Sequence, residues 1–246
     1  MSITIKSKSD LLKMREAGRI AARALEHAGK VIHPGMTTKQ LDKSIHDFIV
    51  SCGAVPTFLG YGGFPASACI SINDEIIHGI PSKKRIIREG DIVSVDVGAT
   101  FDGFVGDNAY TFAVGDISEE AADLLRVTEA SLYAAIDAAR VGARLGDVSH
   151  TVEEYCGSRG YGIVREYCGH GIGHEMHEDP EVPNYGKAGH GVRLVSGIEP
   201  MINVKGDAVR VLSDGWTVVT RSGSLAAHFE HEIAVTQDGP VILTRP

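Results

Sequence analysis

Five residues of this chain have the chemistry of a hydrolytic metal centre: Asp96, Asp107, His170, Glu199 and Glu230. They sit in VSVDVG, VGDNAY, CGHGIGH, GIEPMI and HFEHEIAV, apolar or glycine-rich strings that contain neither lysine nor arginine. A carboxylate inside a strand-like apolar run is costly to desolvate unless positive charge meets it. If the four carboxylates converge, each pair about 4 Å apart repels by about 4 kcal/mol at an effective dielectric of about 20. Two divalent ions would cancel the four negative charges. Bridging carboxylates set two metals roughly 3.5–4 Å apart, a spacing that activates water and clamps a reacting carbonyl, so the set suits hydrolysis. Oxygen-rich with one imidazole, it accommodates manganese, iron, cobalt or zinc without choosing among them. A turn cap or a salt bridge explains any one of these acids equally well; it explains the five residues together poorly.

The elements that must carry these residues are legible in the periodicity. Leu11, Leu12, Met14, Ala17, Ile20, Ala21, Ala24, Leu25 and Ala28 form a helical stripe over 8–31, for which Ser9 and Asp10 offer caps. A second helix follows over 37–52 on Leu41, Ile45, Phe48 and Ile49, closed by Gly53. Two strand-like runs, 91–99 and 104–114, are joined by FDG, a tight-turn signal. With Asp102 and Gly103 central in the turn, Asp96 faces Ala109 and Asp107 faces Gly98, so the two acids share one face as diagonal neighbours.

Helical patterns return at 118–140 and 146–158. Sliding the chain against itself by 107 residues pairs Ile20 with Val127, Leu25 with Leu132, Gly35 with Gly142, Leu41 with Val148, Ile45 with Val152 and Gly53 with Gly160. The expectation is one pseudo-symmetric domain over 1–246, with halves of about 8–115 and 116–240 and the site between them. In the C-terminal part, WTVVTRSGSLAAHFEHEIAVT reads as a further hairpin turning at Ser222, Gly223 and Ser224. Phe229, His231, Ile233 and Val235 then share one face and Glu230, Glu232 and Ala234 the other, and alternation does not choose between Glu230 and Glu232 as ligand. Glu199 precedes Pro200, which favours extended backbone.

Composition excludes several functions. With 246 residues and 43% hydrophobic content the chain can bury a full core, and its net charge of −8 argues against DNA or RNA as a main ligand. The basic run Lys83, Lys84, Arg85 and Arg88 reads as a solvated loop before a strand. No signal-peptide pattern and no long uncharged apolar run appears, and the four cysteines lack CxxC spacing, so the expectation is a cytoplasmic protein with reduced thiols and no membrane partner. HEMHE at 174–178 is not H-E-x-x-H, and Gly169, Gly171 and Gly173 lack the strand–turn–helix of a dinucleotide fingerprint. His177 taken alone is more often a loop histidine than a catalyst.

The strings CISINDEIIHGIP (69–81), DIVSVDVGATFDGFVGDNAYTF (91–112), GHGIGHEMHEDP (169–180), IEPMIN (198–203) and FEHEIAVT (229–236) resemble type I methionine aminopeptidases, nearly end to end. The resemblance implies an α+β pita-bread fold, a pseudo-two-fold antiparallel sheet flanked by helices, around two divalent metal ions. It implies that Asp96 chelates one metal, Asp107 and Glu230 bridge, and His170 and Glu199 complete the other, which selects Glu230 over Glu232. His78 and His177 would contact the substrate backbone and the developing oxyanion, and Glu199 would shuttle a proton. Tyr61, Phe64, Cys69, Met176 and Trp216 align with the methionine pocket, where Phe58, Phe64 and Met176 depart from some members and alter its shape. A bound monovalent cation would use backbone carbonyls near Asn73 and before Glu230.

The implied activity is removal of the N-terminal methionine from nascent polypeptides whose second residue is small, with the ribosome as a candidate partner through 83–88. The chain's own Ser2 is small enough for Met1 to be removed by this rule. Two alternatives stay open: a proline-directed aminopeptidase or dipeptidase of the same fold, and a non-catalytic relative that binds peptides or ribosomes.

Overall fold

The computed structural model describes residues 3–194, 196–198 and 201–246. Helix α1 (Lys8–Val31) opens on Ser7: its hydroxyl accepts the N–H of Asp10 and the Asp10 carboxylate accepts the N–H of Ser7, a reciprocal capping box. This corrects the expected caps at Ser9 and Asp10. Ser7 has an acid three residues on, so two exposed donors are satisfied at once, and Asp10 contributes from inside the first turn. Helix α2 (Thr38–Ser51) is capped the same way by Thr37 and Gln40 and followed by Gly53 at φ 75°. Helices α3 (Glu119–Ala138) and α4 (Leu145–Gly157) repeat the long–short order.

Among the described residues the largest sheet has seven strands, all antiparallel pairs, with Ile92–Phe101, Phe104–Ala113 and Glu230–Thr236 adjacent at its centre. The 92–113 hairpin has the expected register: Phe101 pairs with Phe104, Gly98 with Asp107 and Asp96 with Ala109. Asp102 and Gly103 both take positive φ, 48° and 78°, as a two-residue turn between right-twisted strands demands. One face of this sheet is apolar: Val93, Val95, Val97 and Ala99 pack with Ile20, Leu25, Leu41 and Ile45 of α1 and α2. Phe229 and Ile233 pack with Val127, Leu132, Val148 and Val152 of α3 and α4. The four apolar pairs of the 107-residue offset, Ile20 with Val127, Leu25 with Leu132, Leu41 with Val148 and Ile45 with Val152, thus place one member in each of these two clusters. Helix α1 approaches the sheet so closely at Gly106 that a Cβ there would overlap the backbone of Ala17 and Gly18.

The expected C-terminal hairpin does not form. Val218–Thr220 pairs with Glu75–Ile77 and Val209–Val211, whereas Ala226–His228 pairs with Met201–Asn203 in a different sheet. The 73–74 segment takes the hydrogen bonds a hairpin would have used, for Thr220 donates to the Asp74 carbonyl and Ala226 to that of Asn73, each at 2.9 Å. The second run is itself divided. The Thr111 hydroxyl donates to the His228 carbonyl at 2.8 Å and accepts its N–H at 3.0 Å, and beyond Phe229 the chain joins the central sheet at Glu230.

Candidate metal centre

The face of the central sheet opposite α1 and α2 bears the acids. Asp96 and Asp107 lie there as diagonal neighbours, and Glu230, paired with Ala109, brings a third carboxylate from the adjoining strand. All three are nearly inaccessible, at 9%, 3% and 7% exposure, so none is a solvated surface charge. Gly98 stands opposite Asp107, where any Cβ would collide with the Phe58 ring that roofs the site.

His170 reaches the same place from the short strand Gly169–Gly171, held by Glu178–Val182. The ligand atoms of Asp107, His170 and Glu230 all lie within 4.8 Å of one another. Asp96 faces the same cavity but stands outside this three-residue group. Glu199 lies outside the described residues; the strands Ser196–Ile198 and Met201–Asn203 flank its position. The tautomer of His170 is set by its neighbour: Nδ1 is 3.0 Å from the Gly171 carbonyl, which can only accept, so Nδ1 carries the proton. Nε2 then turns a lone pair toward Asp107 Oδ2, 3.8 Å away. Two acceptors facing each other beside a third are unfavourable unless a cation or a proton lies among them, and this is how metal-binding histidines are oriented. The donor set therefore fits a divalent metal.

Beside these residues opens a cavity of about 170 Å³ with two kinds of wall. Phe58, Phe64, Met176 and Trp216 make its apolar end, with Phe64 edge-on to Trp216 at 5.2 Å. Cys69, paired directly with Asp96, and Tyr61 at the mouth complete the expected pocket set. The two expected non-ligand histidines stand at the polar end. His177 stacks on Tyr61, with Nδ1 2.7 Å from the phenol oxygen, and its ring centroid is 4.1 Å from that of His170. His78 adopts φ 58°, a backbone state costly for a residue with a Cβ, and meets the edges of Tyr167 at 5.8 Å and Trp216 at 6.2 Å.

Tyr167, Cys168, Ile77 and Met201 also line this cavity and were not among the expected residues. Their signal was adjacency: each lies within three residues of a nominated one, in REYCGH, EIIHG and IEPM. A larger cleft, about 430 Å³, opens on the helix side of the sheet between α1 and α3 beside Tyr110, Tyr133 and His231. Burial there holds the His231 imidazole down at about 4, so it stays neutral. Glu232, on the site face two residues past Glu230, is 2% exposed, and burial pushes its carboxyl well above the usual range, against the Asp107 backbone N–H and the Lys6 charge. No described helix is long and apolar enough to cross a membrane.

The model of metallopeptidase family M24 matches residues 12–237. The methionine aminopeptidase of Clostridium acetobutylicum is 54% identical over 246 residues, covering 98% of each chain. Methionine aminopeptidase 1 of Bacillus subtilis is 47% identical over 247 residues, covering 99% of each. The crystal structure of methionine aminopeptidase from Thermotoga maritima matches with a TM-score of 0.97 at 45% identity and full coverage of both chains. The fold is the pita-bread arrangement of antiparallel sheet and flanking helices that the sequence led us to expect. The chain belongs to metallopeptidase family M24 and, within it, to the methionine aminopeptidases.

Proposed function

We propose that this site is a dinuclear metal-dependent aminopeptidase centre that removes the N-terminal methionine from nascent polypeptides in the cytoplasm when the second residue is small. The observation that carries it is the opposition of His170 Nε2 and Asp107 Oδ2, 3.8 Å apart, at the floor of a pocket with an apolar end. The residues that would hold the two divalent ions are Asp96, Asp107, His170, Glu199 and Glu230. Glu230 is preferred to Glu232 because burial favours the neutral form of Glu232, a poor ligand, and because Glu230 shares the donor group with Asp107 and His170. Manganese, iron, cobalt and zinc all suit these donors. Bound there, divalent ions supply Lewis-acid polarisation of the scissile carbonyl and lower the pKa of a water.

The chain's own side chains do the rest. The apolar end takes the unbranched methionine side chain, and Phe64 and Trp216 close around it. His177, with Nδ1 engaged by Tyr61, presents Nε2–H where negative charge develops on the carbonyl oxygen. His78 hydrogen-bonds the substrate backbone, and Glu199 carries the proton from water to the leaving amine. Carbonyls near Asn73 and ahead of Glu230 would hold a monovalent cation, and the exposed basic run at 83–88 is the candidate ribosome contact.

One assay tests the reading. The protein is stripped with chelator, reloaded with manganese, cobalt or iron singly, and offered Met-Ala-Ser, Met-Leu-Ser and Ala-Pro-Ser. Methionine release from the first alone is expected. Preference for Ala-Pro-Ser would make it a proline-directed peptidase, and inactivity with every metal would leave a peptide-binding relative.

A further inference from the structure

Lys6, in the segment ahead of α1, is ion-paired with Glu178, and the two side chains are only 11% and 17% exposed. Charges so deep persist only when paired and hydrogen-bonded. Glu178 meets that condition from inside its own loop: Oε1 accepts the backbone N–H of His174 at 2.9 Å and of Glu175 at 3.3 Å, while Oε2 faces the Lys6 ammonium. One carboxylate therefore closes the 173–178 turn on itself and fastens it to the N-terminal segment. Gly173 keeps the space open, since a Cβ there would overlap both Lys6 Nζ and Glu178 Oε1.

The same turn is held from the other side by the central hairpin. Val105 donates to the Gly173 carbonyl at 2.8 Å, and His174 Nδ1 donates to that of Gly103 at 2.7 Å. Met176 and His177 hang between these fastenings, one buried in the apolar end of the pocket and the other beside His170. Lys6 thus stands beside the turn that joins His177 to the strand carrying Asp107.

We infer that Lys6 is a positioning residue for the peptidase reaction: by locking Glu178 it holds His177 in place over the metal-binding side chains. Lys6 does not line the cavity and acts through Glu178. The inference rests on the reading of His177 as the group that meets the developing oxyanion, so its test needs a signal independent of turnover.

The variants are Lys6→Met, Lys6→Arg and Glu178→Gln. Each is measured by ring-nitrogen NMR of His177 in chelator-stripped protein, assigned with His177→Gln, and by kinetics on Met-Ala-Ser after manganese loading. Lys6→Met is expected to shift or broaden the His177 resonances and to lower kcat at least tenfold with KM changed less than threefold. Lys6→Arg should restore most of both. Glu178→Gln, whose amide oxygen still accepts the two backbone N–H groups, should reproduce the Lys6→Met result and serves in its place if that variant does not fold. An unmoved His177 signal, a kcat within twofold of the unaltered protein, or a loss that Lys6→Arg fails to restore would overturn the inference. If the unaltered protein itself cleaves nothing while the His177 signal still moves, the functional reading fails and the positioning stands.

Discussion

The phenol oxygen of Tyr61 lies 2.7 Å from Nδ1 of His177, and the two rings stack with centroids 5.4 Å apart. Tyr61 comes from the loop before the strand that carries Cys69, and His177 from a turn more than a hundred residues later, so only the fold joins them. With the phenol donating, the imidazole proton resides on Nε2, the nitrogen that Tyr61 does not engage. Tyr61→Phe keeps the stacking and deletes the donor. It should lower kcat on Met-Ala-Ser by about tenfold, the worth of about 1.4 kcal/mol for one such hydrogen bond. An unchanged kcat would show that stacking alone orients the ring.

Asp107 faces His170 and shares its donor group with Glu230, so acceptor atoms crowd together and repel one another in the stripped protein. Asp107→Asn removes part of that repulsion. In chelator-treated samples at neutral pH its Tm should rise by roughly 2–4 °C, the equivalent of about 1 kcal/mol in a chain of this size. The stabilisation that manganese gives the unaltered protein should disappear in the variant. Scanning fluorimetry with and without manganese reads both, and an undiminished metal-induced shift in Asp107→Asn would remove Asp107 from the ligand set.

Two glycines should respond in opposite directions to the same substitution. Gly106→Ala would push a methyl into the backbone of Ala17 and Gly18, which no rotamer change can relieve, and should cost about 3 kcal/mol or more. At Gly157, the last residue of α4, the nearest heavy atom to a new Cβ is Ile163 Cδ1 at 4.0 Å. Gly157→Ala should therefore stabilise by about 0.5 kcal/mol through helix propensity. Urea unfolding compares them, and equal effects would contradict the close approach of α1 to the sheet.

Burial among the apolar residues of α3 and α4 pushes the Cys156 thiol up from its ordinary 9.0 to about 11, partly offset by Ser131. The unfolded chain releases this proton first, so the contribution is fully present below pH 9 and is lost as pH rises toward 11. Two units correspond to about 2–3 kcal/mol. In urea melts, the stability advantage of the unaltered protein over Cys156→Ala should shrink by that order between pH 8 and 11. A constant difference would mean that the thiol ionises freely in the folded state.

Much of this arrangement was legible beforehand, for reasons that can be named. Helices α1 to α4 declared themselves because their apolar stripes recur every three to four residues. The Asp96–Asp107 diagonal followed from one turn, since two residues of positive φ fix hairpin register. The C-terminal run misled because alternation records which face is buried and not which partner a strand takes. Asn73 and Asp74 capture the hydrogen bonds at Thr220 and Ala226, and the Thr111 hydroxyl divides the strand at Phe229.

What the amino-acid order settled, then, was local: period, turn chemistry, and a set of acids and histidines too costly to bury without cations. Tertiary structure decided the relations between distant segments. Only the packed chain could turn His170 Nε2 toward Asp107, seat Tyr61 against His177 and bring Lys6 to Glu178, because each contact depends on where two independently folded pieces of backbone come to rest. The same holds for Glu230 and Glu232, which share a face by alternation and are separated by what surrounds them: one joins a donor group, and the other is buried so deeply that its neutral form is favoured.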